Sequence, residues 1–133
     1  MEDSSLRRDL ERDRASFAWQ QVKGVAEGLR KDYRSVVNKF PTQIVNNGLG
    51  PSLAFLLAKS GGKQEGAHWN LYAQLQEWLC TRQNVCQAAA SSKNQLIDWL
   101  TAPETKSSHY RRATEEALSL AEWLKRFAEA LAP

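Results

Sequence analysis

The stretch Phe40–Lys59, FPTQIVNNGLGPSLAFLLAK, decides the fold. Read alone, it is two short helices joined by a tight elbow. Pro41 suits the first turn of a helix, where its missing N–H is not needed. Ile44 and Val45 give that helix an apolar face. Asn47-Gly48 reads as a helix end, with Gly48 in a left-handed conformation that a side chain would disfavour. Leu49 folds back as the apolar contact that accompanies such a cap. Pro51 restarts the chain at a second N1 position. Leu53, Ala54, Leu56, Leu57 and Ala58 make the second helix apolar nearly all round, so Ser52–Ala58 is expected in the core. Lys59 and the polar, glycine-containing loop Ser60–Gly66 come out at the surface.

Upstream of the elbow, residues 4–28 place Leu6, Leu10, Phe17 and Val25 near one helical stripe, with Ser4 or Ser5 as a cap and Gly28 as an end. Arg30–Asn38 predicts a short helix with Tyr33, Val36 and Val37 inward and a basic edge. Downstream, residues 67–81 set Trp69, Tyr72, Leu75 and Leu79 on one stripe. Arg82–Ala90 reads equally as a helical extension or a connection. Ser92 with Gln95 matches a capping box before a short helix over Leu96–Leu100. Thr101–Ser108 is a connector, in which Thr101 and Glu104 form a possible second box. His109–Ala132 keeps a helical period for six turns. No strand alternation or internal repeat is present. The 133 residues are expected to form one all-α domain, a compact bundle of about six to seven helices.

Composition narrows the function classes. The net charge is only +3, but its distribution is uneven. Residues 35–112 hold 8 Lys/Arg against 4 Asp/Glu, while the flanking segments nearly balance or run acidic. A polyanion would therefore meet the middle of the chain. The five Trp all fall in helical patterns and read as packing residues. Two cysteines, Cys80 and Cys86, make neither a disulfide framework nor a zinc site. With no signal segment or membrane span, a cytoplasmic protein with reduced thiols is expected. No catalytic constellation assembles: His68 and His109 lack metal-ligand spacing, and Glu115 and Glu116 point to different faces. Gly48-x-Gly50 follows a helix rather than a strand and is no phosphate loop. The chain reads as a non-enzyme without metal or cofactor.

Pro41, Asn47-Gly48-Leu49, Leu53-Ala54-Phe55-Leu56 and Lys59 together resemble the small all-helical subunit of the type III-B CRISPR–Cas (Cmr) effector complex. Lys31-Asp32-Tyr33-Arg34-Ser35 with Val36 and Val37 resembles the family's upstream segment. Tyr110, Thr114–Leu118 and Trp123–Ala128 resemble its C-terminal helix. The resemblance runs in order from about Arg14 to Ala130 and is weakest between Gln83 and Ser108. It implies a non-catalytic subunit whose copies stack head to tail, beside other Cmr subunits, along the path of guide RNA and target RNA. Such a protein needs exposed cations on rigid helices, because the guide reads sequence and the protein only neutralises phosphates. The candidate nucleic-acid-binding residues are Lys23, Arg34, Lys39, Lys59, Lys63 and Arg111, with Arg30 and Arg112 beside them. Lys59 stands out, since it matches the family pattern and leaves a helix directly. Two other readings stand beside this one. A helical protein–protein adaptor would need no nucleic acid. A helix-turn-helix DNA-binding protein would use the elbow, but Ser52–Ala58 is too apolar to read base edges.

Overall fold

The structure is a computed structural model that describes residues 2–86 and 94–131, with side chains from Ser5 onward. Six α-helices are present among the described residues: α1 Glu2–Lys23, α2 Arg30–Asn47, α3 Leu49–Ser60, α4 Ala67–Gln76, α5 Gln95–Leu100 and α6 Ser107–Leu131. A 3₁₀ turn, Glu27–Leu29, precedes α2, and a π-helical turn, Glu77–Arg82, continues α4. The all-α expectation holds. α6 packs along both α1 and α2, and α4 closes the other side against α2 and α3. The shared core is built from one stripe of each helix, including Phe17, Tyr33, Val37, Phe40, Leu53, Leu56, Leu75, Trp78, Leu120 and Leu124. All five Trp are buried or half-buried, as packing residues should be.

The elbow forms at Gly48, whose φ of 89° and ψ of 164° lie in a region open essentially to glycine alone. Its N–H donates to the Ile44 carbonyl at 2.9 Å, and Leu49 is fully buried beside it. The flanking helices differ from expectation. Pro41 does not start a helix. It lies inside α2, which runs unbroken from Arg30 to Asn47. Pro41 cannot donate to the Val37 carbonyl, but Val37, Phe40, Pro41 and Ile44 are all buried on one side of α2, and that burial carries the helix through. Pro51 sits third in α3 rather than first, still within the turn whose N–H groups need no helical partner.

α3 is not buried all round. Ser52, Leu53 and Leu56 face the core, whereas Ala54, Phe55 and Ala58 are exposed. Apolar composition alone does not report how many neighbours a helix has, and α3 has them on one side only, from α2, α4 and α5.

The second orphan N–H of α3, on Gly50, donates to the Tyr110 hydroxyl of α6 at 3.0 Å. A Cβ on Gly50 would lie 3.0 Å from that same oxygen. Gly50→Ala is therefore expected to destabilise the fold by about 1–2 kcal/mol by displacing the tyrosine and freeing the N–H. Tyr110→Phe should cost about 1 kcal/mol. The two changes together should cost less than their sum, because phenylalanine clears the space the new methyl needs. Denaturant unfolding of the four proteins tests this; strict additivity would place Tyr110 away from the elbow.

Element ends shift elsewhere. α1 stops at Lys23 rather than Gly28, and Ser4 and Ser5 fall inside it instead of capping it. α6 begins at Ser107, two residues early. Thr101 starts no capping box; its hydroxyl donates back to the Ile97 carbonyl at 2.8 Å. Ser92 lies outside the described residues. The N–H groups that open α5 are met from another helix: Leu96 donates to Gln76 Oε1 at 2.9 Å and Ile97 to the Tyr72 hydroxyl at 3.2 Å. Burial pushes the Tyr72 phenol up to about 12, so it stays protonated there. Cys80 and Cys86 are not two separate reduced thiols. The π turn and a positive φ at Asn84 bring them to a Cα separation of 4.4 Å, paired as a disulfide. Among the described residues, no helix is long and apolar enough to cross a membrane.

Candidate nucleic-acid interface

α2 and α3 leave the elbow in different directions and, with the start of α4, border a groove of about 480 Å³. Lys39 from α2 and Lys59 from α3 both line it, together with Asp32, Phe55 and His68. The two lysines are far apart in sequence, and the elbow brings them together. Both are exposed. Lys59 has its ammonium 5.6 Å from the centre of the Phe55 ring, one helical turn back. Phe55 is 39% exposed. Its ring also meets the His68 imidazole edge-on, with centroids 6.0 Å apart.

His68 is the first-turn residue of α4 that closes the groove. Partial burial lowers its pKa, the Lys59 charge lowers it further, and Asp32 opposes both. At neutral pH the imidazole is therefore uncharged, and the fixed charges of the groove are Lys39 and Lys59 against Asp32. The groove is thus cationic with an aromatic floor. It presents two ammonium groups to one cavity. The sequence singles out both lysines but neither Phe55 nor His68 as part of the surface. The four-residue spacing of Phe55 and Lys59 is the available signal for the first; nothing local marks the second.

The other sequence candidates are placed elsewhere. Lys23 ends α1 with its ammonium 5.5 Å from the Trp19 ring centre. Arg30 donates to the carbonyls of Val25 and Lys23, closing the end of α1, and so has a structural duty. Lys63 stands exposed on the loop after α3, and Arg111 and Arg112 are exposed near the start of α6. Arg34 is half-buried on α2. None of these lines the groove.

A second polar cluster has no role in this surface. Arg14 of α1 makes two parallel hydrogen bonds to Glu116 of α6, 2.8 and 3.0 Å long, and the Trp78 indole N–H donates to the same carboxylate at 2.8 Å. The Arg14 and Glu116 side chains are only 13% and 14% exposed. This contact ties together three elements that the sequence separates widely.

Comparison with known proteins gives two findings. The profile of the family described as "CRISPR-associated protein (Cas_Cmr5)" matches residues 10–131. The chain is also 35% identical over 118 residues to the "CRISPR system Cmr subunit Cmr5" of Thermus thermophilus, a match covering 88% of this chain and 90% of that protein.

Proposed function

Because the chain belongs to the Cas_Cmr5 family of CRISPR-associated proteins, we propose that it is a non-catalytic small subunit of a type III-B Cmr ribonucleoprotein whose copies stack along the complex and help hold the guide–target RNA duplex. The observation that carries the RNA part is the meeting of Lys39 and Lys59 in one groove. Two ammonium groups on separate, well-packed helices suit a phosphate backbone, and they read no sequence. Lys63, Lys23, Arg34 and Arg111 belong to the same proposal as further cations along the RNA path. The helix-turn-helix alternative has less in its favour, since the exposed positions within Ser52–Ala58 are Ala54, Phe55 and Ala58, where base edges would require polar groups.

The test is RNA binding by the assembled complex carrying Lys39→Ala and Lys59→Ala. Affinity is expected to fall on the order of tenfold at about 0.1 M salt, equally for every guide sequence. The slope of log affinity against log salt should flatten by roughly 1–2 units, as two lost phosphate contacts require. The complex is the right sample, because one copy offers few contacts and stacking multiplies them. Normal assembly with unchanged affinity and slope would move the RNA to another face.

A further inference from the structure

α1 packs along α6, and its opposite flank faces α4 and the π turn across an open groove. One part holds about 460 Å³ and is bordered by Gln20 and Gln21 of α1, Gly24 just beyond its end, and Asn70, Ala73 and Gln74 of α4. A second part of about 300 Å³ shares Gln20 and Gln21 and continues along α1 to Asp13. Along α1 from Asp13 to its end at Lys23 the groove follows about 15 Å of helix. Helices that face each other in a close-packed interior normally interdigitate large apolar side chains. Here Ser16, Gly24 and Ala73 leave the groove open, Phe17, Val25 and Trp78 give it an apolar base, and the carboxamides of Gln20, Gln21, Asn70 and Gln74 line the rest.

Gln74 is the telling residue. It is 5% exposed, yet it borders the groove. The buried Tyr33 hydroxyl donates to its Oε1 at 2.5 Å, which fixes the amide so that its NH₂ is what remains for the groove. Burial also pushes the Tyr33 phenol well above its usual range, so it stays a donor. A carboxamide held in this way is an oriented hydrogen-bond donor. With Gln20, Gln21 and Asn70 it makes a surface of paired donors and acceptors.

Such a surface suits an extended polypeptide, whose backbone N–H and C=O groups are unpaired until bound. A docking helix would arrive with its backbone already satisfied. RNA is disfavoured by charge: the groove carries Asp13 and Glu77 against Arg82 alone. Arg82 is moreover paired with Glu77 at 3.7 Å and lies 5.4 Å from the Phe17 ring centre. We infer that this groove takes an extended segment of about four to five residues, at about 3.3 Å per residue, from another protein subunit of the Cmr complex. Its backbone pairs with the Gln and Asn side chains, and a Lys or Arg of the segment is set toward Asp13. The inference rests on the proposed function only in drawing its partner from that complex.

The experiment places the photo-reactive residue p-benzoylphenylalanine at Gln20, on the exposed rim, in the full chain assembled with the other Cmr subunits and guide RNA. After irradiation, cross-linked peptides are identified by mass spectrometry. One segment of a single partner subunit, containing Lys or Arg, is expected to dominate. Ala73→Gln fills the trough and should lower the cross-link yield at least fivefold. If that variant melts early, Asn70→Ala with Gln21→Ala replaces it, with a threefold or greater drop expected. Cross-links to RNA, cross-links scattered over unrelated segments, no cross-link, or a yield unmoved by the folded variant would each overturn the inference. The readout is a protein cross-link, so it stands or falls separately from the Lys39 and Lys59 result.

Discussion

Glu116→Ala is expected to lower the melting temperature by roughly 10 °C. Glu116 accepts both hydrogen bonds of the Arg14 fork and the indole N–H of Trp78. Removing it leaves a guanidinium that is mostly covered by protein and a buried indole donor with no acceptor. Deleting one partner of a buried ion pair costs about 3–5 kcal/mol. This pair lies at the lower end because its members retain some contact with water. For a chain of this size, each kcal/mol moves the midpoint by about 4 °C. Glu116→Gln should cost clearly less, since an amide oxygen in the place of Oε1 still accepts from Arg14 Nε and from the Trp78 indole. Adding Arg14→Ala to Glu116→Ala should cost little more in a double-mutant cycle, because the arginine's partner is already gone. Scanning calorimetry checks all three; a midpoint within about 2 °C of the parent for Glu116→Ala would show that this contact does not hold the three elements together.

Leu56→Ala is expected to cost about 2–5 kcal/mol, the range for a leucine truncated in a packed core. Leu56 is fully buried on the inner face of α3. Its neighbour Phe55 is the larger side chain but sits on the groove side at 39% exposure. Phe55→Ala should therefore cost less than Leu56→Ala despite removing more atoms. Urea unfolding gives both values. If the order were reversed, the rotation of α3 about its axis would be wrong, and with it the placement of Lys59 on the groove.

The elbow is legible in the sequence because a Gly after a helix end, followed by a buried leucine, leaves few conformations open. Pro41 misleads for the opposite reason. A proline fits a first turn, but it also survives inside a helix when tertiary burial outweighs one missing hydrogen bond, and only the packed structure decides between them. Periodicity places Leu53 and Leu56 inward but does not reveal that Ala54, Phe55 and Ala58 stay exposed. The site is half legible. Lys39 and Lys59 stand out as charges, whereas their meeting depends on how α2 and α3 fold back on each other. Arg14 and Glu116, 102 residues apart, leave no local trace, because nothing in either helix demands the other. The start of α5 shows the same limit: no local signal tells that the N–H groups of Leu96 and Ile97 find acceptors on α4.

That borrowed cap has a consequence for how the molecule opens. α5 is six residues long, far below the length at which a helix persists alone in water. Two of its first N–H groups are held by α4 side chains, and Leu96, Trp99 and Leu100 are buried in the common core. α5 is therefore no separate foldon. Its amide protons become exchangeable when α4 lets go, so the free energy that protects Leu96 and Ile97 from solvent deuterium is set by the stability of a helix in which neither residue lies.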